Sequence, residues 1–260
     1  MCFLRQLCLI IAFLPLCVVA QDEDSAEFTS DLFRGITSTD VLPKGRLQWE
    51  TYASYEHSSL YGETSDIWNL NTSVFRYGIG HTTELSVQGA WLYDKTDGEH
   101  MRGFSDVAIG FKTRVFDGWK AVPSIALGGR LYIPGGKDAA FMPEQFGYQA
   151  DLICHNQLTS WFDLTYMGSL LWDGEPKPTT FWGVNFGFPL SDKLYFSLES
   201  DNYYYGIDDI EDRLQCWLSL TLTYQVHSRV ELGVCSDINL QYPKRFFNLA
   251  LGVAWQLTKK

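Results

Sequence analysis

Thirteen charged residues stand at alternate positions within short segments of mixed polarity: Glu50, Glu56, Glu84, Asp106, Lys112, Arg114, Arg130, Asp151, Asp163, Glu199, Asp201, Glu231 and Asp237. Ten are acids and three are bases. Residues two apart on an extended chain share a face, so this spacing suits the lining of a polar surface rather than a compact catalytic set. Glu84 is expected near Lys112 and Arg114 at one depth, and Arg130 near Asp106 and Asp151 at another. Such a lining has two readings. The charges pair and fill the space they surround, or they leave a polar passage that prefers cations.

Other chemistry is thinner. His57 beside Ser58 and Ser59, and His227 beside Ser228, offer a base and a hydroxyl. Neighbours at a turn rarely face each other usefully, and no Ser-His-Asp set converges, so an enzyme is not expected; an outer-membrane hydrolase is the minor alternative. Asp208, Asp209, Glu211 and Asp212 could gather oxygens around a hard cation, but their spacing matches no known calcium loop and a solvated acidic loop is the simpler reading. Tyr203, Tyr204 and Tyr205 precede them and suit packing at a membrane boundary better than stacking on a sugar. No cofactor is expected.

The elements that position these residues are extended. Alternation of apolar and polar residues predicts strands near 46–57, 67–78, 81–93, 105–116, 120–133, 146–156, 160–172, 180–189, 193–202, 214–226, 229–240 and 245–257. Short links at 79–80, 117–119 and 227–228 alternate with long ones at 58–66, 94–104 and 134–145. Long loops on one side and tight turns on the other are the pattern of an outer-membrane β-barrel. The expected fold is therefore all-β: a transmembrane, antiparallel, up-and-down barrel of about twelve strands. Asp117-Gly118 and Ser191-Asp192 are suitable turn residues. Pro123 falls inside a predicted strand, where it removes a ladder donor.

Parity assigns the faces. When the more apolar face of each strand is placed outward, as in Leu218/Leu220/Leu222/Tyr224 and Phe247/Leu249/Leu251/Val253/Trp255, the outward positions hold a single charge, Arg76, and the inward ones hold the thirteen above. A charge on the lipid face costs about 2–4 kcal/mol at mid-bilayer and less near the edges; Arg76 stands beside a turn. Aromatics gather at the strand ends. Tyr77, Trp119, Trp161, Phe188 and Trp255 lie near the short turns; Tyr55, Trp68, Trp91, Tyr93, Trp172 and Trp182 lie near the long loops. These are candidate girdles. A soluble sandwich or lipocalin-like barrel would reverse the faces, and segments of this length with a nearly charge-free apolar face favour the membrane.

Residues 1–20 read as a secretory signal: Arg5, an apolar core from Leu9 to Leu14 interrupted by Pro15, and Val18-Val19-Ala20 before Gln21. Leu16 before Cys17 disfavours a lipoprotein site. Removing this segment takes away one arginine and no acid, which moves the net charge from −11 to −12. So acidic a chain disfavours nucleic acid as a partner. The expected partners are outer-membrane lipid, an unidentified small-molecule solute and the barrel-assembly machinery of a Gram-negative envelope. Three of the six cysteines, Cys154, Cys216 and Cys235, survive cleavage, an odd number without metal-ligand spacing. Mean hydropathy of −0.11 fits a barrel whose strands are half wet, and aromatics make up 15% of the chain. Residues 21–45 precede the barrel domain at 46–260 as a periplasmic lead-in or a plug: Gln21 to Ala26 is acidic, Phe33 to Lys44 could plug the periplasmic mouth or merely lead in, and the lead-in is slightly favoured.

Several stretches resemble a known family. They are Gly35-Ile-Thr-Ser-Thr-Asp-Val-Leu-Pro-Lys-Gly45 running into Gln48-Trp-Glu50, Arg76-Tyr-Gly78, Gly103-Phe-Ser-Asp-Val-Ala-Ile-Gly-Phe-Lys112, Pro134-Gly-Gly136 and Trp172-Asp-Gly174. In this order they resemble bacterial outer-membrane barrels labelled for the meta-pathway of phenol degradation and grouped with outer-membrane transporters. The resemblance implies passage of small solutes, apolar ones among them, and carries no functional residues. The expected function is passive, porin-like transport through a narrow acidic lumen, with both termini periplasmic; the alternative is a closed structural or adhesive surface barrel.

Overall fold

The computed structural model describes residues 28–258 apart from 34, 61–62, 120, 136–140, 174–176 and 207–212. The signal segment and the acidic residues Asp208, Asp209, Glu211 and Asp212 therefore lie outside the described residues. Twelve strands follow in chain order: β1 (Leu47–Leu60), β2 (Glu63–Gly78), β3 (Thr83–Thr96), β4 (Glu99–Phe116), β5 (Ser124–Tyr132), β6 (Gly147–Thr159), β7 (Phe162–Trp172), β8 (Thr179–Pro189), β9 (Leu194–Tyr204), β10 (Leu214–His227), β11 (Val230–Asn239) and β12 (Phe246–Gln256). Each pairs antiparallel with its sequence neighbours, and β1 also pairs with β12, so the sheet closes on itself. The twelve-stranded up-and-down barrel is thus the fold of this chain. Pro123 stands just before β5 rather than inside it, where it removes no ladder bond.

Alternation explains the two faces. On β10, Leu220, Leu222 and Tyr224 are exposed on the outer wall while Ser219, Thr221 and Thr223 are buried inside. On β12, Phe247, Leu249, Leu251 and Trp255 face out and Ala250 and Ala254 face in. Closure leaves no edge strand, so every strand has a partner on both sides, as a hydrocarbon environment requires.

Two expected long loops are corrected. The stretches 58–66 and 94–104 are mostly strand: β1 and β2 extend to Leu60 and from Glu63, and β3 and β4 to Thr96 and from Glu99. Their sequences lose the apolar face because both faces meet water beyond the bilayer, yet the backbone ladder continues. Asp97 and Gly98 make the second of these turns, with φ of 48° and 89°, as a two-residue type I′ hairpin needs. Gly98→Val is expected to cost about 1–3 kcal/mol locally, seen as faster amide exchange over residues 94–101 with the barrel intact.

A second correction concerns phase. β2 carries an extra residue, Leu70: Asn69 pairs with Leu92 and Asn71 with Trp91. A bulge of one residue turns over every side chain beyond it. Trp68 and Leu70 face out before it, and Phe75 and Tyr77 face out after it. Arg76 therefore points inward and is 2% exposed, not outward as its strand alone suggests. β4 has a comparable irregularity opposite Gln88 and Ala90, where Asp106 takes φ 52°.

Candidate functional site: the barrel interior

Residues 28–46 thread the interior before the first strand begins. One side of this segment is apolar. Ile36 is buried against Ala126, Ile153, Met167 and Phe181, which face inward from β5 to β8. Full burial of such a side chain contributes roughly 1.5–3 kcal/mol. Phe33, at φ 63°, lies 5.4 Å from the Tyr52 ring and over Gly233 and Gly252, where a side chain would collide with its ring. Backbone bonds fasten the end of the segment to β2: Gly45 N–H donates to Gly78 O at 2.7 Å and Gly78 N–H to Arg46 O at 3.0 Å. The Leu42 and Pro43 carbonyl oxygens lie where a Gly78 side chain would stand. Gly78→Val is expected to displace Leu42-Pro43 and to speed protease cleavage between residues 28 and 46 several-fold, while the barrel stays resistant.

The other side of the segment is held by charge. Arg76 is the hub. Its guanidinium reaches Glu50 Oε1 at 2.7 Å, Glu84 Oε1 at 2.9 Å and Asp31 Oδ2 at 3.1 Å. Lys112 Nζ lies 2.7 Å from the same Asp31 oxygen, 3.7 Å from Glu84, and donates to Ser38 O at 3.0 Å. The carboxylates also receive backbone donors. Leu42 N–H bonds Glu84 Oε2 at 2.7 Å and Ser38 N–H bonds Asp31 Oδ1 at 2.8 Å, while the Gln48 side-chain amide donates from Nε2 to Glu50 Oε1 at 2.8 Å. Across the lumen, Ile36 N–H donates to Glu199 Oε1 at 3.1 Å while Asn185 Nδ2 holds Oε2 at 2.9 Å. Buried charges of this kind persist only when paired and fully hydrogen-bonded.

Beside this cluster lies a cavity of about 300 Å³. Asp31, Glu50, Glu84, Asp106, Asp151 and Asp237 bring six carboxylates to its lining, against three cations, Arg76, Lys112 and Arg130. Arg130 sits among Tyr132, Asp106 and Asp151. Asp151 in turn accepts from Gln149 Nε2 at 2.7 Å and from Ser169 Oγ at 2.5 Å. Asp237 accepts from Asn248 Nδ2 at 3.1 Å. A negative lining in a low-dielectric wall concentrates cations and repels anions.

The remaining candidates are spread out. Arg114 is not in the hub; it pairs with Asp117 at 2.9 Å and Asp40 at 3.6 Å beside the β4–β5 turn. Glu231 lies on β11 in register with the inward Ala254, which itself pairs with Glu50. Trp91, Trp119, Trp161, Trp172, Trp182 and Trp255 are all exposed on the outside. His57 Nδ1 meets Asp66 at 2.8 Å on the outer wall, and His227 meets Ser228 Oγ at 3.4 Å within its turn. Among the described residues no three His, Cys, Asp or Glu side chains converge as metal ligands. Asp31, Gln48 and Arg76 are site residues that strand reading missed. Asp31 precedes every strand, and only the bulge at Leu70 turns Arg76 inward.

No family model and no curated protein matches this chain in sequence. Solved structures do match in shape. An outer-membrane channel from Pseudomonas putida F1 is similar at TM-score 0.65 and 11% identity, covering 84% of this chain and 98% of that one. The transport unit of the autotransporter AIDA-I from Escherichia coli is similar at TM-score 0.54 and 9% identity, covering 82% and 90%. At such low identity these likenesses speak to fold: this chain has the architecture of outer-membrane β-barrels.

Proposed function

We propose that this chain is an outer-membrane barrel for passive passage of small solutes, small cations foremost, through an acidic lumen that residues 28–46 obstruct. The short turns and both termini face the periplasm, and the long loops face outward. The observation that carries this reading is the cavity itself, a polar space inside the barrel with twice as many carboxylates as cations. A purely structural barrel of this size needs no such space, since inward side chains can fill it. The resemblance to barrels of the phenol-degradation label extends the reading to small apolar solutes. A closed structural barrel is the second reading, favoured by how completely the Arg76 cluster is paired.

Planar-bilayer recording across a salt gradient tests the proposal. The purified mature protein is expected to give small, infrequent, cation-selective openings. Arg130→Ala, which removes one of the three lining cations, is expected to shift the reversal potential further toward cations. Anion selectivity, or no current both from the full chain and from one lacking the segment, would refute the reading.

A further inference from the structure

Among the described residues, strand charge on the outer wall of this barrel is confined to one place. By strand alternation, among the described residues the charged strand side chains that face away from the lumen are Asp66 on β2, Lys95 on β3 and Arg102 on β4. They stand together: Asp66 is in register with Lys95, and Tyr93, two residues before Lys95, with Arg102. Asp66 is occupied. Its Oδ1 accepts from the Tyr55 hydroxyl at 2.7 Å and lies 2.8 Å from His57 Nδ1. Lys95 interacts electrostatically with Asp66 across the strand pair, but no close ion pair or hydrogen bond joins Lys95 or Arg102 to a described side chain. Lys95 and Arg102 are exposed just beyond the aromatic band, where the strands leave the hydrocarbon, so this pair of cations stands at the headgroup boundary, where an anionic lipid can pair with them.

The apolar half of that partner has a place as well. Trp68, Leu70, Trp91 and Tyr93 wall a cavity of about 380 Å³ on the outer surface, and Arg102 closes one end. The bulge that inserts Leu70 opens this groove between β2 and β3. Trp91 is braced edge-on by Phe104, with ring centroids 4.7 Å apart. An apolar groove beside two exposed cations suits an acyl chain that carries a phosphate, because apolar burial and charge pairing then act on one molecule.

We propose that the outer face of β2, β3 and β4 binds an acylated, phosphorylated glycolipid of the outer leaflet, lipid A, with a chain in the Trp68–Trp91 groove and phosphate on Lys95 and Arg102. The choice of leaflet rests on the orientation proposed above, with this end of the barrel outside. The mature full-length protein in detergent micelles is titrated with bisphosphorylated lipid A, followed by tryptophan fluorescence and native mass spectrometry. Bound lipid A is expected, with affinity reduced about tenfold or more in the Lys95→Ala/Arg102→Ala double variant. The swapped pair Lys95→Arg/Arg102→Lys keeps the charge and is expected to keep binding, which separates charge loss from misfolding. Failure to bind lipid A, equal binding of phosphatidylglycerol, or unchanged affinity in the double alanine variant overturns the proposal. Ion current plays no part in this assay, so its outcome is independent of whether the lumen conducts.

Discussion

Deleting residues 28–44 from the mature chain is expected to raise single-channel conductance by an order of magnitude or more, with cation selectivity retained. The segment occupies the lumen and holds it through contacts that the wall does not need for itself. Without Asp31 the hub keeps two cations, Arg76 and Lys112, and two carboxylates, Glu50 and Glu84, so it remains balanced in charge. The strand ladders are untouched, and β1 still closes onto β12. What is lost is the burial of Leu32, Ile36, Val41 and Leu42, at most roughly 1.5–3 kcal/mol each, and the segment's bonds to Glu84, Glu199 and Lys112, which water entering the opened lumen replaces. A folded, open barrel is the expected product. Heat-dependent mobility on gels checks the fold and bilayer recording checks the pore. If the deleted form is folded but as silent as the full chain, the wall side chains close the lumen by themselves, and the structural-barrel reading gains.

Arg76→Met is expected to be the most damaging single substitution in the interior, lowering stability by about 3–5 kcal/mol, because it removes one partner from a buried charge group. Asp31 and Glu84 would keep Lys112 nearby while Glu50 loses its Arg76 ion pair, although Glu50 and Glu84 are 4% and 3% exposed. Urea unfolding followed by tryptophan fluorescence measures the loss. Adding Glu84→Gln to Arg76→Met is expected to recover part of it, since the second change removes one uncompensated charge; residues in one network do not add independently. A loss below 1 kcal/mol would mean that water reaches the hub and screens it. The same variant is expected to loosen the segment, because Asp31 then loses its ion pair with Arg76.

The pairs Glu84–Lys112 and Arg130 with Asp106 and Asp151 could be anticipated because they lie on adjacent strands, where register follows from short connections. The contact between Ile36 and Glu199 could not, since 163 residues separate them and nothing local in either stretch points to the other. Arg76 misled for a different reason: its strand reads cleanly by period two on either side of Leu70, and one inserted residue reverses the meaning of that pattern. The strand extensions at 58–66 and 94–104 were hidden because water on both faces erases alternation.

The amino-acid sequence by itself determined that this chain forms twelve strands, that one face of each meets lipid and the other a charged interior, and that the strands follow one another around a closed wall. Those properties are local, written in a two-residue repeat and in turn residues. Only the tertiary structure decided which way Arg76 points, that residues 28–46 lie within the lumen, and that the outer wall's few strand charges gather beside one apolar groove. These depend on a bulge and on contacts between distant parts of the chain, which closure of the barrel brings together and no local pattern records.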